Sequence, residues 1–125
     1  MDIILYGIPN CDTVKKARAW LADRHIDYRF HDFKKAGVSR ALLSGWLAAT
    51  SWETLVNRRG TTWRALTDAQ RAAVVDADSA MTLMAESPSV IKRPVVSASG
   101  VIHVGFSADM YQQIFSNAAG VRQQS

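Results

Sequence analysis

Between residues 2 and 21 an apolar, strand-like run gives way, across a two-residue break, to a helical period, and that switch leaves few folds open. Asp2-Ile3-Ile4-Leu5-Tyr6-Gly7-Ile8 suits a short buried strand. Pro9-Asn10 ends it. From Asp12 onward Val14, Ala17 and Leu21 fall on one helical face, with Lys15, Lys16 and Arg18 largely elsewhere. Residues 26–33 then alternate, Ile26, Tyr28 and Phe30 against Asp27, Arg29 and His31, which predicts a second strand. Strand, helix and strand in that order point to a parallel, right-handed crossover and so to an α/β layer.

The middle of the chain is helical. Ser39 is placed to cap a helix carrying Leu42, Leu43, Trp46 and Leu47. A shorter segment follows at 52–56, then a polar stretch, Asn57-Arg58-Arg59-Gly60-Thr61-Thr62. Thr67-Asp68-Ala69-Gln70 has the pattern of a capping box. Asp78 or Ser79 opens a further helix with Met81, Leu83 and Met84, and Pro88 ends it. Val95–Ser97 and Val101–Val104, around Ala98-Ser99-Gly100, read as an antiparallel hairpin. Ser107 caps a last helix with Tyr111, Ile114 and Phe115. The sum is an α/β fold with a mixed four-stranded sheet, β-α-β and β-β-α, the central helices being an insertion between the halves or a cap over one edge. Residues 1–116 are expected to form a single domain, and 117–125 a flexible tail.

Composition narrows the functional classes. At 125 residues with 48% hydrophobic and 21% charged side chains, the chain can bury a core without staples. Its net charge of +4 permits an anionic substrate but is too diffuse to argue for nucleic acid. Cys11 is the only cysteine, so an intramolecular disulfide and a multi-cysteine zinc site are both excluded. His25, His31 and His103 show no metal-ligand spacing, and they read as surface or strand-edge residues. No metal is expected. There is no apolar run of membrane-spanning length and no signal-like N-terminus, so a cytoplasmic setting is the expectation and no membrane partner is.

Three places carry chemistry. Cys11 follows a strand directly and stands at a helix start, where unpaired N–H groups stabilise a thiolate. Thr13 belongs to that same turn, and Lys15 lies one turn on. The alternative is a small buried filler, and position alone leaves both open. The second place is Ile91-Lys92-Arg93-Pro94-Val95, where a proline enters a strand and Arg93 offers a forked donor to an anion. A trans edge proline and a solvated surface arginine are the plainer alternatives. The third is the 57–62 stretch, a cradle for a phosphate-like or carboxylate group or simply a polar loop. The tryptophans Trp20, Trp46, Trp52 and Trp63 are assigned to packing.

Taken together, Tyr-Gly-Ile-Pro-Asn-Cys-Asp-Thr-Val-Lys-Lys-Ala at 6–17, Asn-Arg-Arg-Gly-Thr-Thr-Trp at 57–63 and Ile-Lys-Arg-Pro-Val at 91–95 resemble the arsenate reductase-like (ArsC/Spx-like) family, most of all its YffB-like branch. The resemblance covers residues 2 to 116. It implies a thioredoxin-like fold with a helical insertion and a cis bond at Pro94 beside the cysteine. In the family's reductases the cysteine attacks arsenate, and glutathione and glutaredoxin resolve the adduct. Cys11 matches that nucleophile and Arg93 one oxyanion-binding arginine. Asn57 stands where the reductases have a further arginine, with Arg58 one place along. Gly105 stands where they have another, and Gly7 where they have a histidine.

A tetrahedral oxyanion needs several fixed donors before a negative thiolate can approach it, so these losses argue against arsenate as substrate. The YffB-like branch implies a glutathione-dependent thiol reductase instead. A monothiol needs an outside thiol to finish its cycle. The expectation is a thiol oxidoreductase with Cys11 as nucleophile, no tightly bound cofactor, glutathione as co-substrate and glutaredoxin as a further partner. Arg93, Pro94, Arg58, Asn57, Thr13 and Lys15 would serve binding or activation. Arsenate reduction and an RNA-polymerase-binding, Spx-like regulator are the alternatives. The regulators' Cys-X-X-Cys switch is absent, since Asp12-Thr13-Val14 follows Cys11.

Overall fold

The computed structural model describes the backbone of residues 2–123 and the side chains of residues 2–116. β1 (Ile3–Gly7), α1 (Asp12–Asp23) and β2 (Arg29–Asp32) come first. They are followed by α2 (Phe33–Ala36), α3 (Arg40–Ala49), α4 (Trp52–Leu55), α5 (Thr61–Ala65), α6 (Asp68–Ala72), α7 (Ala77–Glu86) and a 3₁₀ turn at Pro88–Val90. β3 (Val95–Ala98), β4 (Val101–Val104) and α8 (Ala108–Gln123) complete the order. The sheet is mixed and four-stranded, in the order β2-β1-β3-β4. β3 pairs antiparallel with β1, Leu5 opposite Val96, and with β4, Val96 opposite His103.

The chain divides into two compact units, Met1–His31 with Arg93–Ser125, and Asp32–Lys92. The second is one unbroken stretch inserted between the halves of the first. In the first unit the apolar face of α1, with Trp20 added to the expected Ala17 and Leu21, joins Ile3 and Leu5 of β1, Val96 and Ala98 of β3, and Tyr111 and Phe115 of α8 in one buried cluster. Leu5, Leu21 and Val96 are fully enclosed, each side chain worth about 2 kcal/mol of burial. Trp20 and Tyr111 meet edge to face, 5.7 Å between ring centroids. The hairpin turns at Ser99 (φ 53°) and Gly100 (φ 83°), the left-handed pair that a two-residue loop between twisted strands requires. Ser107 caps α8, its hydroxyl accepting from the Met110 N–H at 3.0 Å. The tail expected at 117–125 overlaps the end of α8; its side chains, and all of Gln124 and Ser125, lie outside the described residues.

In the second unit α3 and α7 pack together, and Arg40 reaches Thr82 at 3.1 Å and Asp78 at 3.4 Å. Leu43, Trp46, Leu55 and Met84 are buried. Trp52 and Trp63 stay partly exposed, unlike Trp20 and Trp46. The capping box at Thr67 is complete, with both reciprocal bonds to Gln70. α7 begins earlier than the sequence suggests. Its cap is Asp76, which accepts from the Ser79 N–H while Ser79 returns a bond to the Asp76 N–H. Asp78 and Ser79 therefore lie inside the helix. β2 is shorter than the alternation at 26–33, and the polar stretch ends early because Thr61 and Thr62 already belong to α5.

Candidate thiol site

Cys11 is the residue at which strand geometry becomes helix geometry. Its backbone is extended (φ −140°, ψ 124°), and its carbonyl already accepts the first helical bond, from the Lys15 N–H at 2.9 Å. This places the side chain over the open first turn of α1, half-buried. No side-chain cap hydrogen bond closes on the sulfur. The charged sulfur is the form its surroundings favour. Burial acts to raise the thiol, but it is outweighed by the Val14 N–H, by the Arg93 guanidinium through both a hydrogen bond and its charge, and by the Thr13 N–H. The net effect holds Cys11 below its ordinary value.

Arg93 reaches the thiol from the other half of the unit, at the entrance to β3. The Arg93–Pro94 peptide bond is cis. Pro94 is buried, and its carbonyl accepts the Gly105 N–H at 2.8 Å, closing the base of the hairpin. Gly105 sits at φ 89°, a conformation that side-chain-bearing residues avoid. An arginine at that position would be strained. Gly7, at the end of β1, is confined by space instead: a Cβ there would lie 2.8 Å from a Val14 methyl.

The second unit carries the other residues singled out from the sequence. The Asn57 N–H donates to Val90 at 2.8 Å, and Val56 bridges Ile91, so the loop is tied to the segment that leads into β3. The Asn57 side chain accepts from the Arg59 N–H at 3.2 Å. Arg58 pairs with Glu53 at 3.6 Å and lies 5.6 Å from the Trp52 ring centre. Asn57, Arg58, Arg59, Glu53, Thr54 and Lys92 line an open basin of about 470 Å³. Three cations face one carboxylate there, so the basin is suited to an anion.

Cys11, Thr13, Arg93 and Pro94 thus share the first unit, and Asn57 and Arg58 share the second. Lys15 is exposed, and the groups that act on the thiol are Val14, Arg93 and Thr13. Val14 was legible only as a core residue. Its position three residues after a helix-capping cysteine was the available signal, because that N–H is one a cap side chain addresses. Lys92 had no signal beyond its neighbour. Of the histidines, His25 is exposed beyond α1, His31 lies against Tyr6 with 5.0 Å between ring centres, and burial lowers His103 on β4. Among the described residues no cluster of His, Cys, Asp or Glu is arranged to hold a metal, and no helix is long and apolar enough to cross a membrane.

Comparison with known proteins bears on the family and the fold. A model of the ArsC family matches residues 6–114. The solved structure of a protein named YFFB is 47% identical, with a TM-score of 0.85 over 89% of this chain and 96% of that one. The solution structure of an arsenate reductase (ArsC) related protein from Brucella melitensis is 49% identical, with a TM-score of 0.73 over 92% and 95%. A relative from Streptococcus pyogenes, described as the global transcriptional regulator Spx, is 26% identical over 91% of this chain and 85% of its own length. The mixed four-stranded sheet with its helices is the thioredoxin-like α/β fold of these proteins.

Proposed function

The chain belongs to the ArsC family and is arsenate reductase-like, and on that footing we propose that it is a glutathione-dependent thiol oxidoreductase with Cys11 as its one nucleophile. The observation that carries this reading is the convergence of Val14, Thr13 and Arg93 on a partly accessible sulfur. These donors raise the thiolate fraction near neutral pH, and the thiolate is the species that attacks.

In the reaction proposed, the Cys11 thiolate attacks one sulfur of a disulfide. A new bond forms to that sulfur, the disulfide bond breaks, and the second sulfur leaves as a thiolate that takes a proton from water. Glutathione thiolate then attacks the substrate sulfur of the adduct, which restores Cys11 and gives a glutathione mixed disulfide. A second glutathione, or glutaredoxin, reduces that product. The two electrons come from two glutathiones, which end as their disulfide. Arg93 keeps its charge next to the reacting sulfur throughout, where it also steadies the leaving thiolate. In the second unit the basin beside Asn57 and Arg58 is a candidate hold for a carboxylate. The setting proposed is the cytoplasm, where glutathione is kept reduced.

Arsenate is the weaker substrate. Among the arginines that the family's reductases use, Arg93 is kept. Gly105 occupies a backbone conformation that disfavours a replacement, and Asn57 is neutral. The likeness to Spx supports a second reading, a regulator that binds RNA polymerase, but one without a Cys-X-X-Cys switch. Turnover of a glutathione mixed disulfide, coupled to glutathione reductase, tests the proposal. The wild type is expected to turn over, and Cys11→Ser to lose turnover while keeping its circular dichroism and melting profile. Turnover retained in Cys11→Ser overturns the mechanism. No turnover in the wild type together with capture of RNA polymerase favours the regulator.

A further inference from the structure

Gly7 ends β1, four residues before Cys11. Its neighbours in space show what its missing side chain does. The three heavy atoms nearest a Cβ built there all belong to Val14: one methyl at 2.8 Å, the other at 3.4 Å and the Val14 Cβ at 3.7 Å. A separation of 2.8 Å is closer than side-chain carbons approach, so one partner has to move. Val14 has little freedom to do so. It is fully buried on the inner face of α1, and a β-branched side chain in a helix is held to one rotamer. A methyl group at position 7 therefore acts on the helix as a whole and pushes the first turn of α1 away from the end of β1. The Gly7 backbone is not left-handed, unlike that of Gly37, Gly100 and Gly105. Alanine is conformationally allowed there, and its effect is one of space alone.

The first turn of α1 is where the thiol is served. Thr13 and Val14 are the second and third residues of α1 after its N-cap, Cys11, and their N–H groups favour the charged sulfur. Gly7 touches neither substrate nor sulfur, so it acts through Val14. We propose that Gly7 is a positioning residue for the thiol: the absence of a side chain lets Val14 close against the strand end, and this seats the Val14 and Thr13 N–H groups on the Cys11 sulfur. The inference rests on the reading of Cys11 as an activated nucleophile.

The test is the pH dependence of Cys11 alkylation by iodoacetamide in wild type, Gly7→Ala, Val14→Ala and the double variant Gly7→Ala/Val14→Ala. Val14→Ala keeps the backbone N–H and removes the methyls that clash. In Gly7→Ala the midpoint is expected to rise by about half a pH unit, a roughly threefold loss of thiolate below the midpoint. The limiting rate at high pH is expected to stay the same, because access to the sulfur does not change. The double variant is expected to return toward the wild-type midpoint, a rescue that general destabilisation does not predict. An unchanged midpoint in a folded Gly7→Ala, or a double variant no closer to wild type than Gly7→Ala, overturns the inference. If Gly7→Ala does not fold, the double variant decides: folding with a wild-type midpoint supports the clash, and folding with a raised midpoint, or failing to fold, refutes it. A wild-type midpoint at the ordinary thiol value refutes the activated nucleophile itself, which is a distinguishable outcome.

Discussion

At Cys11 burial and polar contacts pull in opposite directions, and the polar contacts prevail. Burial disfavours a charged sulfur, while two backbone N–H groups and one guanidinium favour it. The folded thiol titrates below its unfolded value, so the stability this thiolate contributes is present above the unfolded value and is lost as pH falls through the folded one. Arg93→Ala removes the only side-chain contributor among the described residues. The alkylation midpoint of Cys11 should move up toward the ordinary thiol value, with a rate at neutral pH lower by about threefold to tenfold, one pH unit being a factor of ten. Arg93→Lys should recover part of the shift, since it keeps the charge but not the planar fork. An unmoved midpoint in Arg93→Ala would leave the helix turn alone responsible. Much of this site is legible in the sequence, because a cysteine between a strand and a helix stands where that helix's N–H groups are unpaired. The approach of Val14 to Gly7 is not legible there, since closeness between strand end and helix is a tertiary fact.

Elements were legible where the signal is local, and misplaced where several residues offered the same signal. The Thr67 box and the Ser99-Gly100 turn carry their own geometry. At α7, Asp76, Asp78 and Ser79 all have capping side chains, and the pairing of Asp76 with Ser79 decides among them. Asp76 is held below the usual carboxylate range, first by the Ser79 N–H and then by its hydroxyl. Its contribution to α7 is therefore present above the unfolded carboxylate value and fades as pH falls through the folded one. Urea melts of Asp76→Ala should show lower stability than wild type at pH 7 and a smaller difference at pH 2. In α8 the Tyr111 hydroxyl is buried with no hydrogen-bond partner among the described residues, and burial pushes its ionisation to higher pH. Removing an unpaired buried polar group relieves a desolvation cost. Tyr111→Phe should leave stability unchanged or raise it by up to about 1 kcal/mol, read from the urea midpoint. A loss of stability would mean that the hydroxyl is satisfied.

Taken whole, the chain is one sheet-bearing unit that holds the thiol and one helical unit inserted within it. The first was legible because strand, helix and hairpin signals follow one another in order. The second was less so, because short helices such as α5 begin within polar sequence and depend on packing more than on pattern. The chemistry proposed needs only the first unit's Cys11 and Arg93 to begin, so it can be tested before any substrate is known. The rate at which Cys11 forms a mixed disulfide with oxidised glutathione, followed by intact mass across pH 5 to 10, tests it most directly. A single added glutathione is expected, at a rate that climbs through a midpoint below the free-cysteine value of about 8.5. A rate that follows an ordinary thiol, or no adduct, would contradict it.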